Sequence, residues 1–107
     1  MNFPNILLII ADDLGNDAIS GFNNNNSNPN TPTLDSLRMK GITFSNVWSS
    51  PICSPTRAGL LTGKYGFRTN VLNVGDKLDK KETSIQEKID MVFNDIYSFG
   101  VIGKWHL

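Results

Sequence analysis

The sequence holds one cysteine and one histidine in 107 residues. A single cysteine excludes an internal disulfide framework and a cysteine-rich zinc site. Its thiol must be inert, buried or chemically special. Net charge is also lacking: ten basic residues balance ten acidic ones. A neutral chain has no electrostatic footprint for nucleic acid or for an anionic membrane surface. Long apolar runs are missing too. The longest, Ile6 to Ala11, is far short of a membrane span. Met1 to Asn5 carries no basic side chain, and the apolar run after it stops at Asp12-Asp13. That is not the layout of an export signal, so the expected location is cytoplasmic by default, or a signal was removed ahead of this numbering. What is present is ordinary for a folded protein, with 39% hydrophobic and 19% charged residues.

Ile6 to Ala11 does not alternate. Its length and β-branched content predict a strand buried on both faces, as in a parallel sheet. Gly21 to Pro32 reads as a loop, with consecutive asparagines at Asn23 to Asn26 and prolines at Pro29 and Pro32. Thr33 to Gly41 predicts a short helix capped by Thr33 and stopped by Gly41. Ile42 to Trp48 alternates and predicts a strand. Ser49 to Pro55 is a loop, Thr56 to Gly63 a short helix, and Lys64 to Lys81 mostly loop. Thr83 to Tyr97 predicts a helix with Ile85, Ile89, Val92, Phe93 and Ile96 on one face. Phe99 to His106 predicts a last strand. The order implies an α/β fold with a mostly parallel sheet flanked by helices. So short a sheet leaves faces and edges open. The chain is therefore expected to be incomplete, the first part of a larger domain.

Three groups of residues carry chemistry. Asp12-Asp13 closes the first expected strand, where open α/β sheets bind ligands. Paired carboxylates suit a hard divalent cation, and they equally suit a plain turn. Cys53 precedes an expected helix, with Arg57 four residues on. A helix N-terminus and a guanidinium fork both favour a tetrahedral oxyanion. The alternative is a buried cysteine acting as a small hydrophobe. In Gly103-Lys104-Trp105-His106, strand periodicity would point Lys104 and His106 to one side. There they would grip an anion, with His106 also able to act as a general acid, or they would be an edge lysine and a satisfied histidine. One parallel sheet would bring all three groups to one rim, as a site for cleaving an anionic tetrahedral ester.

Cys53-Ser54-Pro55-Thr56-Arg57 resembles the Cys-x-Pro-x-Arg signature of the sulfatase family, and Ala58 to Tyr65 is similar to its extension. Pro4 to Asp13 looks like the family's opening strand and metal-binding pair. Asn30 to Leu37 and Gly41 to Asn46 resemble the segments that follow. Gly103-Lys104-Trp105-His106-Leu107 resembles the second signature. The motifs run in the family's order along essentially the whole chain.

The resemblance implies an alkaline-phosphatase-like fold and hydrolysis of sulfate monoesters, carbohydrate or aryl. It implies that Cys53 is oxidised to formylglycine by a formylglycine-generating enzyme. The hydrated aldehyde would attack sulfur with one hydroxyl and expel sulfate with the help of the other. On this analogy Asp12, Asp13 and modified Cys53 ligate a divalent cation, calcium, with magnesium as an alternative. Cys53 is the nucleophile. Arg57 stabilises it and the developing charge, Lys104 holds a sulfate oxygen, and His106 bonds the sulfate or assists the leaving group. Lys64 is left unassigned.

Two further readings stand beside this one. The first is a phosphonate or phosphate monoester hydrolase of the same superfamily; the second is a truncated, non-catalytic anion-binding homologue. The sequence departs from the family at Gly59, where alanine is common, and at Asn70, where glycine is usual. The family's downstream Asp-Asn metal ligands are absent. Residues 1–107 alone are therefore expected to be inactive and poorly stable.

Overall fold

The computed structural model describes residues 3–22 and 29–107. The Asn23 to Asn26 run lies outside the described residues. The chain forms two compact units, Met1–Val47 and Trp48–Leu107. No helix among the described residues is long and apolar enough to cross a membrane.

In the first unit, residues 3–11 take no helix or strand and lead into a turn at Asp12-Asp13. Asp13 has a left-handed backbone, φ 55°, a conformation that Asp tolerates better than most residues. A single 3-10 turn follows at Asn16–Ala18. Helix α1 spans Pro32–Lys40. Pro32 opens it with a pre-set φ, Asp35 sits in its first turn, and Arg38 and Lys40 sit in its last. Each of these complements the helix end it occupies. The flanking residue is Thr31, and Thr33 lies inside the helix. Thr31 serves instead as a tether: its Oγ1 lies 2.7 Å from Ser20 Oγ, and Ser20 Oγ donates to Asp35 Oδ2 at 2.5 Å. Arg38 completes the link, donating to the Ser20 carbonyl at 3.1 Å and pairing with Asp35 at 3.3 Å.

In the second unit, α2 spans Cys53–Thr62, α3 spans Gly66–Thr69 and α4 spans Ile85–Phe93. Helix α2 packs against both α3 and α4. Its buried positions are Ser54, Pro55, Arg57, Ala58 and Leu61, spaced to make one helical stripe. With Val71 and Thr69 they form the small core. Helix α2 ends at Gly63, whose φ of 67° is left-handed and whose N–H bonds the Gly59 carbonyl at 2.8 Å. Glycine takes that conformation without the penalty a Cβ incurs. Helix α4 opens on a capping box. Ser84 accepts from the Glu87 N–H, and the Glu87 carboxylate accepts from the Ser84 N–H.

Four sequence-based expectations change. Helix α2 begins at Cys53, before the expected Thr56, so Cys53 is its first helical residue rather than a loop residue ahead of it. A proline is tolerated in the first helical turn, whose N–H groups lack partners in any case. Helix α3 lies in the expected loop. Helix α4 stops at Phe93 although the apolar spacing continues to Ile96. Asn94 and Asp95 take φ of 49° and 61°, which ends the helix.

The largest change concerns the sheet. No strand occurs among the described residues, so residues 6–11, 42–48 and 99–106 form no ladder. A strand exists only with a hydrogen-bonded neighbour, and these segments have none. Their side chains agree: Leu7, Ile42, Trp48 and Ile102 are largely exposed, where a doubly covered sheet would bury them.

Candidate functional site

Helix α2 carries the first set of site residues. Cys53 and Arg57 are one turn apart and share a face. Cys53 is half-buried and Arg57 is buried. Thr56 braces the loop ahead of the helix, donating from Oγ1 to the carbonyls of Ser50 at 3.0 Å and Ile52 at 2.9 Å. The residue at position 53 therefore stands at the positive end of a 10-residue helix.

The second set lies on 103–106, which returns to that helix face. Arg57 Nη1 donates to the Lys104 carbonyl oxygen at 2.7 Å. His106 Nδ1 lies 3.7 Å from Cys53 Sγ. The route to this meeting differs from the expected strand alternation. Gly103 has φ 100° and His106 φ 58°, so the backbone turns instead of running extended. Lys104 joins through its carbonyl, and His106 joins through its ring. The second unit thus brings Cys53, Arg57, Lys104 and His106 together.

Asp12 and Asp13 occupy the turn of the first unit. Among the described residues no three His, Cys, Asp or Glu side chains gather to hold a metal ion. Calcium takes about 6–8 oxygen ligands, and a pair of carboxylates supplies only part of that set. The residues described do not by themselves fit a complete calcium site.

Ser54 was not singled out by the sequence. It is fully buried, and its Oγ has no hydrogen-bond partner. Burying a hydroxyl without a partner is costly, so this atom beside position 53 is noteworthy. Its only sequence signal is adjacency to the cysteine. Lys64 is paired with Glu82, joining the end of α2 to the approach to α4. Asn70, where the resembled family favours glycine, takes φ 55° at the end of α3. Asparagine is one of the few residues other than glycine that visits this region readily, which explains why the replacement is tolerated. The first unit also contains a cavity of about 380 Å³ bordered by Ser20, Phe22, Asp35, Arg38 and Phe44. None of the six expected site residues lines it.

The Sulfatase family model matches residues 4–107. The chain belongs to the sulfatase family. It is 35% identical to human arylsulfatase D over 115 residues, covering 96% of this chain and 18% of that protein. It is 36% identical over 107 residues to an N-acetylgalactosamine-6-O-sulfatase of Bacteroides thetaiotaomicron, covering 97% of this chain and 20% of that protein. Bovine arylsulfatase A is 36% identical over 111 residues, covering 97% of this chain and 21% of that protein. The chain thus spans about a fifth of the length of these curated relatives. No solved structure shows a significant match to the chain.

Proposed function

We propose that this chain is the N-terminal part of a sulfatase catalytic domain that hydrolyses sulfate monoesters with residue 53 as formylglycine. The observation that supports this most is the meeting of both signature segments: Cys53 beside the His106 ring, and Arg57 bonded to the backbone at Lys104. Family membership supports sulfate ester hydrolysis in general.

Once installed, the hydrated aldehyde would supply one hydroxyl oxygen to take up the sulfate group and a second hydroxyl whose deprotonation would expel sulfate from the same carbon and restore the aldehyde. The N-terminus of α2 presents N–H groups to the negative charge of the ester. The buried Arg57 guanidinium adds fixed positive charge close by. His106, next to position 53, would bond the sulfate or give a proton to the departing alcohol oxygen. Lys104 would neutralise a sulfate oxygen. Asp12 and Asp13 would contribute two carboxylates toward a calcium or magnesium ion, with further oxygens needed from elsewhere. The alkaline-phosphatase-like sheet would form only once residues 6–11, residues 42–48 and the stretch ahead of the 103–106 turn gain neighbours. The partners of this reading are a carbohydrate or aryl sulfate ester and the formylglycine-generating enzyme.

The test is a substrate comparison on the whole sulfatase that carries this chain, after conversion of Cys53. Faster turnover of an aryl sulfate than of the matching aryl phosphonate supports the reading. Preference for the phosphonate would move the protein to the phosphonate-hydrolase branch. No turnover of either by fully converted protein would favour a binding role.

A further inference from the structure

The segment 103–106 reaches α2 without a β-ladder to hold it. Its backbone is left-handed at Gly103 and again at His106, φ 100° and 58°. That conformation is unfavourable for a residue with a Cβ, so surrounding contacts must maintain it. Helix α2 supplies contacts to it, two of which bear on position 53 and His106. One is the sulfur of Cys53 on the His106 ring at 3.7 Å. The other is the donation from Arg57 to the Lys104 carbonyl at 2.7 Å. The second is much the stronger, being short and charge-assisted, and its donor is buried.

We propose that Arg57 is a positioning residue: through the Lys104 carbonyl it fixes the 103–106 turn and so sets the His106 imidazole beside position 53. This role differs from stabilising charge at position 53 and is compatible with it, since a guanidinium carries five N–H donors. It rests on the reading of residue 53 as the reacting position. A lysine at 57 would keep the charge but lose the planar fork, so charge and positioning can be separated.

The experiment is a proton NOE measurement on the whole sulfatase that carries this chain, with Cys53 unmodified and with cysteine and histidine selectively labelled. The wild type should show a cross-peak between Cys53 Hβ and the His106 ring. Arg57→Lys and Arg57→Gln should both lose it, while cross-peaks between α2 and α3 remain. Lys104→Ala keeps its carbonyl and should retain the peak. An amide-to-ester replacement between Lys104 and Trp105 weakens the acceptor carbonyl without altering Arg57. It should diminish the peak even if the Arg57 variants do not fold. A peak that persists at wild-type strength in Arg57→Gln, or in the ester, overturns the proposal. Failure to convert Cys53 to the aldehyde would refute the sulfatase reading and leave this pattern of peaks unchanged.

Discussion

The sulfur of Cys53 lies 3.7 Å from Nδ1 of His106, although 53 positions separate them in the chain. The first helical residue of α2 and the penultimate residue of the sequence thus face each other. A ring nitrogen beside position 53 is what acid–base assistance there would need.

The first prediction concerns that ring. In the active sulfatase carrying this chain, His106→Ala should lower kcat by about 10²- to 10⁴-fold, the usual range for removing a general acid or base. The loss should shrink for substrates with good leaving groups, such as nitrophenyl sulfate. Equal losses for good and poor leaving groups would remove His106 from proton transfer to the alcohol.

The second concerns the small core. Leu61 and Ala58 are buried on the α2 stripe, and Val71 is buried as well. Leu61→Ala should cost about 2–5 kcal/mol, read as a lower urea midpoint. A midpoint equal to the wild type would show that the α2 stripe does not hold the unit together.

The third concerns the end of α2. Gly63 is left-handed, and a Cβ there would meet nothing within 4 Å. Gly63→Ala should therefore destabilise through backbone conformation alone, by about 1–2 kcal/mol. Gly63→Asn should cost less, because asparagine tolerates that region. Thermal melts of both variants check the order.

The fourth concerns pH. The Glu87 carboxyl is held below the ordinary carboxylate range by hydrogen bonds from the Ser84 N–H first and the Ser84 hydroxyl second. A carboxylate lowered in the folded state stabilises it fully above the unfolded pKa and loses that contribution as pH falls through the folded value. The start of α4 should accordingly fray on acidification. Ser84→Ala should remove the hydroxyl's part of the cap, cost about 1 kcal/mol, and move Glu87 only partway back toward its ordinary titration range, because the backbone N–H at position 84 still donates. NMR titration of the Glu87 side chain reads both effects. An unchanged Glu87 midpoint in Ser84→Ala would contradict the assignment.

The helices were largely legible in the sequence because their signals are local. Pro32 and Gly41 bracket α1, Gly63 ends α2, and the apolar spacing of Ile85, Ile89 and Val92 marks α4. Their limits were less legible, since Asn94 ends α4 by a backbone choice that apolar spacing does not register. The strands were not realised, because strand formation at Ile6 to Ala11 depends on a neighbour that pattern alone cannot supply. At the site, residue types in order pointed to Cys53, Arg57, Lys104 and His106. The means of their meeting was hidden, because the strand alternation expected at 104–106 gives way to a turn held by a side-chain bond to a backbone carbonyl. Ser54 was missed because its burial is a tertiary property.

A fifth prediction follows from the incomplete donor set. Calcium should bind only weakly to this chain alone, and the chain alone should not hydrolyse an aryl sulfate even after conversion of Cys53. Calorimetric titration with calcium checks the first part. Tight binding would mean that Asp12 and Asp13 already belong to a full site.

The central claim is that Cys53 is the precursor of a sulfatase nucleophile. The most direct measurement is the mass of the peptide containing Cys53, from the chain expressed with and without a formylglycine-generating enzyme. The thiol should be replaced by an aldehyde only when that enzyme is present. A thiol that persists alongside demonstrably active enzyme would contradict it.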